Sequence, residues 1–231
     1  MLVYAVRHAL SLANVDAGAG LDSSLTDLGR DQTDALVARF AGVRLAAVYA
    51  SPLARCLQTA LPIAEALDLP VRLRPELFEY HGLSPGARAD LVVDEAETLA
   101  KRNARLVSDP DLPGPPSWPA VDEAPEALAR RMSTLAAALK TRWTAPDDVV
   151  LLISHGSPIA RLIDAWLSDD RGRSFRYLID NAAVTALRRH DGVSSLVCLN
   201  ETSHLRGLAA PPSANYDSRG HIKPIAPGNY W

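Results

Sequence analysis

The sequence predicts an α/β fold: a three-layer α/β/α sandwich around a mostly parallel sheet, with an antiparallel edge strand and a small cap insertion. Three observations carry this. Short apolar runs rich in Val, Leu and Ala recur along the chain, as expected of strands buried on both faces. Helical patterns separate them, which is the order of a parallel sheet covered on two sides. A pair of strand-like runs closes the series around Asp191-Gly192, the dipeptide of a tight hairpin.

The elements follow in order. LVYAV (2–6) is the first strand. LTDLGRDQTDALVARFAG (25–42) reads as a helix, with Thr26 as N-cap, Asp27 in the first turn and Gly42 as its stop. AAVYA (46–50) is the second strand. It runs into a helix in which Ser51 suits the N-cap and Pro52 the first position, with a kink or break expected at Pro62. PVRLR (70–74) is the third strand. Residues 76–123 form an excursion that holds the proline-rich DPDLPGPPSWP (109–119) and some helix around 88–107. A long helix over 124–143 leads to DVVLLIS (148–154), the clearest strand in the chain. The next helix opens at Gly156, Ser157 and Pro158. AVTALRRH (183–190) and VSSLVCLN (193–200) make the hairpin. The division expected is one domain over 1–205, its cap at about 76–123, and a tail over 206–231 with Tyr216, Tyr230 and Trp231 as anchors.

Composition narrows the function. The chain has 231 residues, 48% hydrophobic and 22% charged, enough for a substantial core. Its formal charge of −3 disfavours general nucleic-acid binding, which needs a basic surface. Cys56 and Cys198 make neither a disulfide framework nor a metal-ligand pattern. No apolar run is long enough for a membrane span, and a strand starting at residue 2 leaves no room for a leader. The expected setting is the cytoplasm, with no nucleic-acid or membrane partner, and a homodimer is compatible with this reading.

In a parallel sheet, ligands bind beyond the carboxyl ends of the strands. His8 follows the first strand, Ser51 and Arg55 the second, Glu76 and Glu79 the third, and His155 the strand at 148–154. All of them therefore fall on one rim. Arg7 and Arg55 carry forked donors that match phosphate oxygens. The stretches at 51–55 and 156–159 start helices, whose free N–H groups attract anions. Two histidines and two arginines at two helix starts describe an anion pocket with a nucleophile in it. Neighbouring cations should keep His8 neutral near pH 7. Six histidines without close ligand spacing, and no cluster of carboxylates with them, disfavour a metal site.

These residues sit in recognisable motifs. RHALSLAN (7–14), LTDLGRDQ (25–32), SPLARCLQTA (51–60), LFE (77–79), ISHGSPI (153–159), NAAVTAL (181–187) and LNETSHL (199–205) together resemble the histidine phosphatase superfamily, also called the phosphoglycerate mutase-like family. The resemblance runs in order over 1–205. It implies a metal-independent phosphoric monoester hydrolase of the histidine acid phosphatase type, acting on a small phosphorylated substrate without a cofactor. It gives His8 as the nucleophile and Arg7, Arg55 and His155 as ligands of the phosphate. Asn14, Ser11 and the helix start at Gly156 and Ser157 would add hydrogen bonds. Glu79 would be the proton donor, with Glu76 as the alternative. A phosphomutase and an idle ligand-binding or scaffold protein are the other readings of the same fold. Leu10 stands where the family commonly has glutamate, YHGLSPG after Glu79 departs from the family's pattern, and VDEAPEAL (121–128) keeps only Glu123 of the usual G-E-S. His81 and the cluster Lys101, Arg102 and Arg105 are weaker candidates for substrate contact.

Overall fold

A computed structural model describes residues 1–16, 19–80, 96–109, 112, 123–167 and 177–208. The strands are β1 (Leu2–Arg7), β2 (Ala47–Ala50), β3 (Val71–Leu73), β4 (Leu106–Ser108), β5 (Val149–Ser154), β6 (Val184–His190) and β7 (Val193–Glu201). They form one sheet in the order β4-β3-β2-β5-β1-β6-β7. The five strands from β4 to β1 are mutually parallel, and the β6–β7 hairpin adds the antiparallel edge. Asp191 and Gly192 both take positive φ, 48° and 78°, as a two-residue hairpin turn requires.

The helices are α1 (Leu12–Val15), α2 (Asp27–Phe40), α3 (Ala54–Ala66), α4 (Ala96–Arg102), α5 (Pro125–Arg142) and α6 (Gly156–Leu167). Two apolar clusters show why the sandwich holds. Leu135, Leu139, Ile163 and Trp166 of α5 and α6 pack with Val3, Ala5 and Leu152 on one face of the sheet. Leu36, Phe40, Leu57 and Ile63 of α2 and α3 pack with Val6, Val48 and Ile153 on the other. The strands therefore bury both faces, and alternate residues of one strand serve different cores.

Three expectations change. Ser51 does not cap α3: the helix starts at Ala54, and the Asp22 carboxylate accepts from the Ala54 N–H at 2.6 Å. The Ser51 hydroxyl is engaged elsewhere, as described below. α3 runs through Pro62 without a break. Its neighbours Ile63 and Ala64 are fully buried, and that packing outweighs the hydrogen bond proline cannot make. Part of the 76–123 excursion belongs to the sheet: residues 106–108 form β4, a parallel edge strand too short for sequence periodicity to reveal. Most of the cap, His81 and the tail beyond residue 208 lie outside the described residues. No helix among the described residues is long and apolar enough to cross a membrane.

Gly29 explains one motif by close approach alone. It lies in the first turn of α2, where the Thr26 hydroxyl accepts from its N–H at 3.0 Å. A Cβ at this position would stand 2.1 Å from the Leu10 carbonyl oxygen. Leu10 is two residues past His8, so the helix must touch the backbone there. Gly29→Ala should lower stability by about 3 kcal/mol, the scale of overpacking against immovable backbone. Thermal unfolding checks it, and an unchanged midpoint would show that the helix can shift freely.

Candidate active site

The sheet register builds the centre of the site. β1 and β5 are adjacent and parallel, with Arg7 opposite Ser154, so His8 and His155 leave the sheet side by side. The His8 N–H donates to Ser154 O at 2.8 Å, extending the ladder one step beyond the strands. Their rings meet edge-to-face, 5.1 Å between centroids at 63°. Both are buried, at 2% and 0% exposure.

His8 has a defined tautomer. Its Nδ1 lies 2.8 Å from Ala9 O, and a carbonyl oxygen only accepts, so Nδ1 carries the proton. Nε2 is left with its lone pair, which accepts from Arg55 Nε at 3.1 Å. Burial first, then the charges of Arg55 and Arg7, hold its pKa well below the ordinary value of 6.5. The imidazole is thus neutral and nucleophilic at Nε2.

Further residues complete the rim. Arg55 is 4% exposed, and its NH1 donates to Leu21 O at 2.5 Å. Arg7 NH1 donates to Ile179 O at 2.6 Å, while its buried Nε has no partner among the described residues. His155 Nε2 lies 2.9 Å from the Ser51 hydroxyl and 3.4 Å from the Cys56 sulfur. On its other side, Nδ1 is 3.5 Å from Glu79 Oε2. Burial raises the pKa of the Glu79 carboxyl, against the opposing pull of Arg55 and Arg7. A carboxylic acid that stays protonated further up the pH scale can donate a proton. The Cys56 thiol is buried and its pKa is pushed up, which suits an inert packing group.

Glu76 is elsewhere. Its carboxyl is fully buried and bound to Arg74 at 2.5 Å. Arg105 pairs with Asp68, and Lys101 and Arg102 are exposed on α4. The Ser11 and Asn14 side chains bond to each other at 3.0 Å, and Asn181 Nδ2 joins Asn14 Oδ1 to the His8 carbonyl. These residues tie down the loop that follows His8. Gly156 and the buried Ser157 open α6 directly after His155, so that helix start does face the rim.

The motif residues without chemistry of their own act as braces. The Ala9 N–H donates to the Thr59 hydroxyl (3.1 Å), Leu10 N–H to Gln32 (2.8 Å) and Leu25 N–H to Gln58 (2.8 Å). Leu10 itself is 3% exposed, so its side chain does not stand in solvent at the mouth. Asn181, Gln32 and Thr59 were not candidates on sequence grounds, because their partners are distant in the chain. The motif spacing is the signal that could have found Gln32 and Thr59.

His8, Glu79 and His155 bring ligand-type atoms within 4.8 Å of one another. Sequence distance between the histidines and the carboxylate concealed this grouping. The spacing suits a metal ion, but Arg7 and Arg55 beside it repel a dication and attract an anion. The electrostatics therefore favour phosphate over metal.

The chain is similar in sequence and fold to known proteins. The family model for the histidine phosphatase superfamily (branch 1) matches residues 3–202. Phosphoserine phosphatase 1 of Hydrogenobacter thermophilus is 30% identical over 206 residues, which cover 87% of this chain and 92% of that protein. A probable phosphatase of Schizosaccharomyces pombe is 27% identical over 232 residues, covering 95% and 77%. Among solved structures, a mycobacterial glucosyl-3-phosphoglycerate phosphatase complexed with VO3 superposes with a TM-score of 0.64. It is 26% identical and covers 87% of this chain and 99% of that one.

Proposed function

The chain belongs to the histidine phosphatase superfamily, branch 1, and from that premise we propose that it hydrolyses a small phosphomonoester through a phosphohistidine at His8, without a metal ion. The observation that carries this is the neutral His8, its Nε2 lone pair beside Arg55 and its ring against His155. Relatives named as phosphoserine and glucosyl-3-phosphoglycerate phosphatases support a small phosphorylated metabolite as the substrate class.

The sequence of events follows from the charges. A phosphate dianion is drawn between Arg7, Arg55 and the start of α6. Its oxygens are better acceptors than an imidazole nitrogen, so Arg55 turns from His8 Nε2 to phosphate and frees the lone pair. Nε2 attacks phosphorus, and the P–O ester bond breaks. Protonated Glu79 gives its proton to the leaving oxygen. The carboxylate so formed takes a proton from a water that attacks the phosphohistidine. The P–N bond breaks, inorganic phosphate leaves, and His8 and Glu79 return to their starting states. Arg7, Arg55 and His155 offset the charge on the equatorial oxygens throughout.

The experiment is a screen of phosphorylated metabolites against the purified protein, reading free phosphate and product. Release of inorganic phosphate from one compound class supports the proposal. An isomer with no free phosphate would make the protein a mutase. No turnover and no phosphate bound to His8 with any compound would make it a binding protein.

A further inference from the structure

We propose that Arg131 is a positioning residue for Glu79: it fixes the turn from which Glu79 projects, and Glu123 holds Arg131 in place for that purpose. The inference rests on the reading of Glu79 as proton donor.

Arg131 sits inside α5 with 8% of its side chain exposed, and Glu123 just before the helix is 7% exposed. The two form a forked pair, Arg131 Nε to Glu123 Oε1 and NH2 to Oε2, both at 2.8 Å. The remaining nitrogen, NH1, donates to the main-chain carbonyl of Glu76. That carbonyl lies in the 3-10 turn Pro75–Leu77, which leads directly into Glu79. The adjacent carbonyl, of Leu77, accepts from the Ser154 hydroxyl at 2.8 Å. Ser154 immediately precedes His155. Two successive carbonyls of one turn are therefore anchored from opposite directions, one by α5 and one by the strand that delivers His155. With both carbonyls held, the chain has little freedom in where it places Glu79, two residues on, relative to His155.

A buried ion pair is a poor source of net stability, because desolvation offsets most of the attraction. An apolar pair would fill the same space as well. What the guanidinium adds is a fork that Glu123 can orient and a third donor group aimed at one carbonyl. This arrangement specifies geometry, and the element whose geometry it specifies ends in the acid.

The test replaces both partners by apolar residues, Glu123→Leu with Arg131→Met, which avoids leaving one charge buried alone. Turnover of an alkyl phosphate, which needs leaving-group protonation, is compared with that of p-nitrophenyl phosphate, which does not. The alkyl ester should slow by about 10- to 100-fold, the scale of losing general-acid alignment, with the activated ester within a few-fold of wild type. In a Glu79→Gln background the same pair of changes should add almost nothing on the alkyl ester. Equal losses on both esters, or full losses multiplying in the Glu79→Gln background, overturn the role of Arg131. A Glu79→Gln protein that shows no ester selectivity overturns the acid assignment instead, and Arg131's role with it. If the double variant fails to fold, Arg131→Lys, which cannot fork onto Glu123, gives the same comparison.

Discussion

His8→Ala is expected to reduce turnover of any substrate by about 10,000-fold or more, while leaving the protein folded. No other group in the site can take its place. His155 is fully buried and already engaged by Ser51, Cys56 and Glu79. The Cys56 thiol is held protonated by its burial. The Ser51 hydroxyl is committed to His155. Folding should survive because the contacts that fix the nucleophile's loop are made by backbone groups: His8 N–H to Ser154 O, Ala9 N–H to Thr59 and Leu10 N–H to Gln32. Circular dichroism and thermal unfolding would confirm that the variant is native. Wild-type rates in a folded His8→Ala protein would contradict the mechanism.

Glu79→Gln is expected to act selectively. Esters with poor leaving groups should slow by about 100- to 10,000-fold, the range of general acid catalysis, and activated esters far less. The pH profile gives an independent reading. The acid must be protonated in the free enzyme, and burial raises its pKa above the ordinary carboxylate value. For poor leaving groups, kcat/KM should therefore hold on the acid side and fall as pH rises through that raised pKa. Burial and the two arginines hold the His8 pKa well below 6.5, and protonation of that nucleophile gives the acid limb. In Glu79→Gln the alkaline limb should vanish. A limb that persists unchanged would assign the proton transfer to another group.

Much of this site was legible in the order of residue types. A strand buried on both faces must end in something different, and in this chain β1, β2 and β5 run into His8, the Ser51–Arg55 stretch and His155. Because parallel strands share a direction, the sequence positions alone put these groups on one rim. Other features were not legible, for identifiable reasons. Glu76 and Glu79 are the same residue type one short turn apart. The L-x-E resemblance favours Glu79, but the contacts that part the two, Arg74 on the first and His155 on the second, belong to the fold. Ser51 matches an N-cap in type and position, yet its hydroxyl bonds His155, and Asp22 caps the helix from across a loop. β4 is a three-residue strand stabilised by its neighbour β3 rather than by its own pattern. Arg131 lies in an amphipathic helix where an arginine normally faces water, and its burial against Glu123 is visible only once α5 is packed.

The most direct measurement is an acid-free denaturing quench during turnover of a radiolabelled phosphomonoester, followed by peptide mapping. The mechanism predicts one acid-labile, base-stable phosphoryl group on the peptide containing His8, absent from His8→Ala and longer-lived in Glu79→Gln when an activated ester loads the enzyme. Label on a serine, on a carboxylate or on His155, or rapid turnover with no label on His8 at any quench time, would contradict it.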